Sequence, residues 1–290
     1  MLLKKLQSTM FIPFLIIFLI FSDSHITFAD STLAPISTHI DSDSINYRIY
    51  YRSISPQILE EMKQLDMIIL EALQLEGDMV SVLKDSNTQI IGYISAIEVA
   101  TWDDFLNEKL TNDDLLHANG NLQFHGKNPL GDLRNPNFRQ ALLEIIDERI
   151  VRNTLDGIFI DSTSVLNDYF DNPIIGEGLL AGYLELLKDI KTLYPHLKIL
   201  QNRGFAYATQ AAPYLDGLVW ENFKSPRIND VKRYERRIDA LLELSEHVQV
   251  YTISYDHFDT NESHAHELDW IHLSHSIGTS HSVWIPLNGS

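Results

Sequence analysis

Leu155-Asp156-Gly157-Ile158-Phe159-Ile160-Asp161-Ser162 is a short apolar run, rich in β-branched residues, with an acid at its carboxyl end. Apolar residues on both faces predict a strand buried on both sides, as parallel strands in α/β proteins are. Asp161 then stands where the strand ends. The run Leu215-Asp216-Gly217-Leu218-Val219-Trp220-Glu221-Asn222 repeats the design, with Asp-Gly before the apolar residues and an acid after them. Taken singly, each Asp-Gly reads as turn chemistry and each acid as a loop cap. Taken together they have a geometric meaning in a parallel barrel, where residues at the carboxyl ends of different strands build one site. Two such strands aim two carboxylates at one pocket.

On either side of these runs, strand-like and amphipathic stretches alternate. Residues 46–52, 66–70 and 89–95 read as strands, with helices over 56–64 and 79–84 between them. Ser55 is the cap of the first helix and Pro56 fills its first turn. Phe138, Leu142, Ile145, Ile146 and Ile150 fall at helical spacing and predict a helix over 137–152 that leads into the Leu155 strand. Further on, helices over 178–194, around 205–211, over 228–244 and over 262–275 alternate with strands over 197–202, 216–220, 248–253 and 282–285. Eight strands with helices between most of them predict an α/β protein, a single (β/α)8 TIM barrel spanning residues 45–290. An open doubly wound sheet is the alternative. Against it, no Gly-rich dinucleotide fingerprint follows the first strand and no phosphate-cradling Gly-Lys-Ser/Thr motif occurs. Residues 96–134, with Trp102 and a short helix expected near 113–117, form the longest irregular stretch, and loops of that length in compact domains are usually functional or disordered.

The 290 residues are 44% hydrophobic and carry a formal charge of −18, with no cysteine. That acidity excludes a phosphate-binding surface and so nucleic acid as a partner. The lack of cysteine excludes disulfides, thiolate zinc sites and cysteine nucleophiles. Lys4 and Lys5 precede the apolar run from Phe11 to Phe21, too short for a comfortable membrane span but suited to a signal peptide, and Thr27-Phe28-Ala29 offers a cleavage site. We expect residues 1–29 to be a signal peptide, 30–44 a flexible lead-in, and the protein to be secreted. A membrane is then a partner only through an uncleaved leader, and the mature chain is expected to be a monomer.

At the carboxyl ends of the expected strands stand Tyr51, Glu98, Asp161, Asn202 and Arg203, then Trp220, Glu221, Tyr255, Asp256 and Trp284; Trp102 follows in the long loop. Acids beside aromatic rings are what glycoside hydrolysis requires, one acid to protonate the leaving oxygen, another to attack or stabilise the sugar, and rings to stack on it. No Gly-x-Ser-x-Gly elbow or His-Glu-x-x-His motif supports other hydrolases. His264 and His266 are the metal candidates in a histidine-rich C-terminal region. Their spacing does not set three ligands on one helical face beside a carboxylate, so they read as surface or packing residues, and neither a metal nor a cofactor is expected.

Taken in order, Tyr50-Tyr51, Gly92-Tyr93-Ile94-Ser95 with Glu98, Asp156 to Asp161, Gln201-Asn202-Arg203-Gly204 and Asp216 to Phe223 resemble the endo-α-1,4-polygalactosaminidases, glycoside hydrolase family 114, and their barrel relatives. One departure is Ser95-Ala96-Ile97-Glu98, an apolar pair where a glycine-containing turn is expected. The resemblance implies a (β/α)8 barrel that hydrolyses α-1,4-linked galactosamine polymers with Asp161 and Glu221 as the catalytic pair. Tyr51, Glu98, Trp102, Asn202, Arg203, Trp220, Tyr255, Asp256 and Trp284 are the expected substrate-binding residues. A retaining mechanism is expected, with Asp161 as nucleophile and Glu221, shielded by the neighbouring Trp220 indole, as acid/base. A carbohydrate-binding barrel without turnover would keep the same scaffold, and a metal-dependent polysaccharide deacetylase is a third reading.

Overall fold

Asp66, Asp156 and Asp216 each stand one residue before a strand, and each carboxylate caps the start of the strand that precedes it. Asp66 accepts from the Asn46 N–H at 2.7 Å, Asp156 from the Ile90 N–H at 2.8 Å and Asp216 from the Ile199 N–H at 2.8 Å. The Asp-Gly pairs are therefore a stitch between neighbouring strands. The structure, a computed structural model, describes residues 45–226, 232–276 and 281–287. The expected leader and lead-in lie outside the described residues.

The stitched strands belong to one eight-stranded sheet: β1 (Tyr47–Tyr50), β2 (Met67–Leu70), β3 (Gln89–Ser95), β4 (Gly157–Asp161), β5 (Lys198–Asn202), β6 (Gly217–Glu221), β7 (Gln249–Ser254) and β8 (Ile271–Ser274). They follow one another in chain order, and each neighbouring pair is parallel. The Tyr51 N–H donates to the His281 carbonyl at 2.8 Å, tying the end of β1 to the segment beyond β8, and the Tyr47 hydroxyl reaches the Thr252 carbonyl at 2.9 Å. The eight strands form a nearly closed (β/α)8 barrel. The helices between them are α1 (Pro56–Met62), α2 (Met79–Asp85), α3 (Asp104–Lys109), α4 (Pro136–Ile146), α5 (Pro173–Leu193), α6 (Ala208–Ala211), α7 (Lys232–Leu244) and α8 (Phe258–Glu267). Ser55 caps α1 as expected, its hydroxyl accepting from the Ile58 N–H.

Strand alternation divides the core in two. Ile49, Ile69, Ile91, Phe159, Leu200, Val219 and Ile253 fill the barrel, while Ile68, Ile90, Ile158, Ile160, Leu218, Trp220 and Val250 pack in the layer under the helices. Both faces of each strand are thus buried, and that is why the sequence of β4 is apolar throughout. Gly157 is required here, since a Cβ would come within 2.5 Å of the Lys198 carbonyl oxygen on β5.

Two expected elements differ. The eighth strand is Ile271–Ser274, within the stretch expected to be helical, and residues 282–285 are not a strand. Helix α8 stops at Glu267 because Asp269 takes a left-handed backbone, φ 55°, after which Ile271 and Leu273 turn into the barrel. The helix expected over 137–152 is α4 followed by a π turn, Asp147–Val151, which carries Arg149. The first residues of the helix expected over 228–244 lie outside the described residues.

Candidate active site

Asp161, Asn202 and Glu221 are the last residues of β4, β5 and β6, and each is followed at once by a left-handed residue: Ser162 at φ 62°, Arg203 at φ 58° and Asn222 at φ 57°. Only glycine takes this conformation without cost, and non-glycine examples cluster at functional sites. Here the backbone turns sharply off each strand directly after the side chain that faces the barrel mouth.

Asn202 joins the two acids. Its amide nitrogen donates to Asp161 Oδ1 at 2.8 Å and to Glu221 Oε2 at 2.9 Å. The Tyr255 hydroxyl donates to Glu221 Oε1 at 2.7 Å and lies 3.2 Å from His281 Nε2. Asp161, Asn202, Glu221, Tyr51 and His281 line one cavity of about 330 Å³, with Ile49, Phe159 and Ile253 among its apolar walls. Tyr51 packs against Tyr93 and His281, with ring centroids at 4.9 and 5.5 Å.

The two carboxyl groups differ. Burial pushes the Asp161 carboxyl up, more than the Asn202 amide and the Ser162 N–H pull it down, and the charges of Glu221 and Glu98 add to the rise. Burial also acts to raise Glu221, but the Tyr255 hydroxyl, the Asn202 amide and the Arg203 charge outweigh it and hold this carboxyl below its ordinary value. The expected shielding of Glu221 by Trp220 does not occur. Adjacent residues of a strand point to opposite faces, and Trp220, 2% exposed, packs under the helices against Phe205, Phe223 and Trp270.

Glu98 sits beside this site. It accepts from the Ser162 hydroxyl at 2.7 Å, His125 Nδ1 at 2.8 Å and the Asn128 amide at 2.9 Å. Burial raises its carboxyl, yet these three donors together hold it below its ordinary value. Glu98 and Trp102, 59% exposed, share a neighbouring cavity with Glu71 and Tyr93. The remaining expected residues lie elsewhere. Arg203 lines a second cavity that Glu221 also borders. Asp256 pairs with Lys224 at 2.8 Å. Trp284 donates to Glu61 on α1 at 2.8 Å and meets Tyr50 edge-on, because the segment that carries it packs on the outer layer and is not a strand. Reading the sequence missed His281 and His125 as site residues. Both reach the mouth from stretches with no periodic signal, His281 from the segment beyond β8 and His125 from the long segment after β3. Among the described residues no three His, Asp or Glu side chains are grouped to hold a metal ion.

The sequence from residue 42 to residue 278 matches the glycoside-hydrolase family GH114. This chain belongs to GH114. Similar solved structures are the glycoside hydrolase domain of PelA from Pseudomonas aeruginosa, 18% identical at a TM-score of 0.63 over 78% of this chain and 92% of that one. Another is Ega3 from Aspergillus fumigatus in complex with galactosamine, 15% identical at a TM-score of 0.57 over 79% and 89%. No curated protein matches the sequence. As a GH114 glycoside hydrolase, the chain acts on a glycosidic bond, and in its barrel mouth Asp161 and Glu221 are two carboxyl groups on one bridging amide.

Proposed function

We propose that this GH114 protein is a secreted hydrolase of α-1,4-linked galactosamine-type polysaccharide, working by double displacement with retention at Asp161 and Glu221. The shared Asn202 amide carries the reading. Two oxygens held 2.8 and 2.9 Å from one nitrogen are no farther apart than the sum of those distances, about 5.7 Å. A retaining pair needs about 5 to 5.5 Å, whereas inversion needs roughly 6.5 to 9.5 Å to admit a water. The acids around the mouth and the galactosamine bound by the similarly folded Ega3 support a cationic amino sugar as substrate. Asn202 Oδ1, buried and without a partner among the described residues, is an acceptor that a sugar hydroxyl or ammonium would satisfy.

The neighbours divide the roles. Asp161 is held by N–H donors alone, Asn202 and the Ser162 backbone, and these favour a group that stays ionised. Glu221 is joined to the Tyr255 hydroxyl and through it to the His281 imidazole, groups that can both donate and accept a proton. Asp161 attacks the anomeric carbon, the bond from that carbon to the glycosidic oxygen breaks, and the Glu221 proton passes to the departing oxygen. Water then displaces Asp161 while Glu221 takes its proton. In the empty site Asp161 is the carboxyl pushed up and Glu221 the one held down, so the bound sugar has to reverse that order. An ammonium beside Asp161 favours its charged form, and the charge of an ionised Asp161 across the shared amide in turn favours the protonated form of Glu221.

The test is product release from partly deacetylated α-1,4-galactosamine polymer. Asp161→Asn and Glu221→Gln should each lose at least about 10²–10⁴-fold, and proton resonances of the first product should show the α anomer. A β anomer formed first would overturn the mechanism. For secretion, protein collected from the medium should begin near Asp30.

A further inference from the structure

Glu98 joins two parts of the chain that the sequence keeps well apart. The Ser162 hydroxyl, in the turn after β4, donates to Oε1 at 2.7 Å. His125 Nδ1, at 2.8 Å from Oε1, and the Asn128 amide, at 2.9 Å from Oε2, come from the long segment after β3. These two residues face each other in a small antiparallel hairpin formed by Phe124–His125 and Asn128–Pro129. The Glu98 side chain is only 17% exposed, and with three protein donors on its two oxygens it is a junction between elements. It is also fixed from behind. Its N–H donates to the Ser95 hydroxyl at 3.0 Å, Ser95 is the register partner of Asp161, and the Ala96 N–H donates to the Asp161 carbonyl at 2.9 Å.

The turn that Glu98 holds is the one that sets Asp161. Ser162 takes φ 62°, and its N–H donates to the Asp161 carboxyl, as the Asn202 amide does. Thr163, the next residue, is fully buried, and its hydroxyl donates to the Asn202 carbonyl. The turn is therefore gripped on one side by Glu98 and on the other by the end of β5. Glycine adopts a left-handed turn without cost and serine does not. The hydroxyl accounts for a serine here, since its bond to Glu98 anchors the residue whose N–H is aimed at Asp161.

We propose that Glu98 is a positioning residue for the nucleophile: through the Ser162 hydroxyl it fixes the turn that aims Asp161 at the anomeric carbon, and the hairpin of residues 124–129 locks it there. The inference rests on Asp161 being the nucleophile of the retaining reaction. A reacting group misplaced by about 1 Å costs on the order of 10²-fold in rate. The remaining walls of the mouth still hold the sugar when this link is cut, so the loss falls on kcat and leaves KM in place. A Glu98 that served only to anchor the hairpin would instead change stability and leave kcat alone.

The experiment compares kcat and KM on partly deacetylated α-1,4-galactosamine polymer for Ser162→Ala, Ser162→Gly, Glu98→Ala, Glu98→Gln and the Ser162→Ala/Glu98→Ala double variant. Ser162→Ala and Glu98→Ala should each lose about 10- to 100-fold in kcat, the scale of one hydrogen bond to a charged group, with KM within about twofold of the wild type. The double variant should lose no more than the worse single one, since both substitutions remove the same link. Ser162→Gly leaves the left-handed turn free of strain and should lose as much as Ser162→Ala, which separates the missing hydroxyl from any damage to the fold. Glu98→Gln keeps an oxygen for the Ser162 hydroxyl and should lie closer to the wild type than to Glu98→Ala. Wild-type kcat in both Ser162 variants overturns the inference even where Glu98→Ala fails to fold. Losses that multiply in the double variant overturn it as well, and so does a raised KM at unchanged kcat in Glu98→Ala, which would make Glu98 a sugar ligand. A wild type that cleaves no polymer, or an Asp161→Asn protein that keeps its activity, would instead fail the functional reading beneath the inference, so the two failures are distinguishable.

Discussion

Asn202 gives both its amide N–H groups to carboxylates, and that one residue explains why two acids coexist in a buried mouth. Like charges this close disfavour each other's ionisation, and burial disfavours both. In the empty site the cost falls on Asp161. Its pKa in the folded state lies above the ordinary 3.8. Below that ordinary value both folded and unfolded chains are protonated and nothing is lost. As pH rises through the folded-state value, the folded chain alone must carry a buried charge. Asp161→Asn should therefore melt above the wild type at neutral pH, with the gap closing as the pH falls below 4; equal melting temperatures at pH 7 would contradict the burial argument. The two acids were legible in sequence because each ends an apolar run. Trp220 was misread because neighbours in sequence were taken as neighbours in space, whereas a strand sends them to opposite faces.

At the level of elements, the Asp-Gly pairs were noticed as a repeat, but their purpose became visible only with Asp66. That residue does the same work before β2 without a glycine after it. Alternation of strands and helices fixed the fold class, since parallel strands need crossovers. The eighth strand was missed for a physical reason. Four residues with two inward apolar side chains carry too little periodicity to stand out beside a helix that ends four residues before them. The long segment after β3 is anchored by the buried ion pair between Arg149, on the π turn after α4, and Asp103, which also caps α3 through the Leu106 N–H. Removing one member strands the other's charge in the interior. Arg149→Met should thus lose about 3–5 kcal/mol of stability, seen as a lower urea midpoint with an unchanged slope. A loss below about 1 kcal/mol, the scale of an exposed pair, would mean that the segment is anchored elsewhere.

For the whole molecule, acid should loosen the barrel at the side where β8 and the segment after it meet β1. His272 lies between the Thr252 hydroxyl, 2.7 Å from Nδ1, and the Ser254 hydroxyl, 2.9 Å from Nε2, and burial with the nearby His266 pushes it down to about 4. Burial and His275 likewise push His281 down to about 4, against a small opposite pull from Glu221. Phe223 and the hydroxyls of β7 also face His272 and offer it no negative charge. A histidine whose folded-state pKa is depressed contributes stability that is complete above its unfolded value of 6.5 and is lost as the pH falls towards 4. For His272 alone that loss is on the order of 3 kcal/mol. Asp161 acts in the other direction over part of the same range, since its protonation relieves a buried charge. The melting temperature should therefore drop between pH 6.5 and 4, more steeply in Asp161→Asn, and His272→Gln should flatten part of the drop. A His272→Gln protein with the wild-type pH dependence would show that His272 is not the residue that titrates.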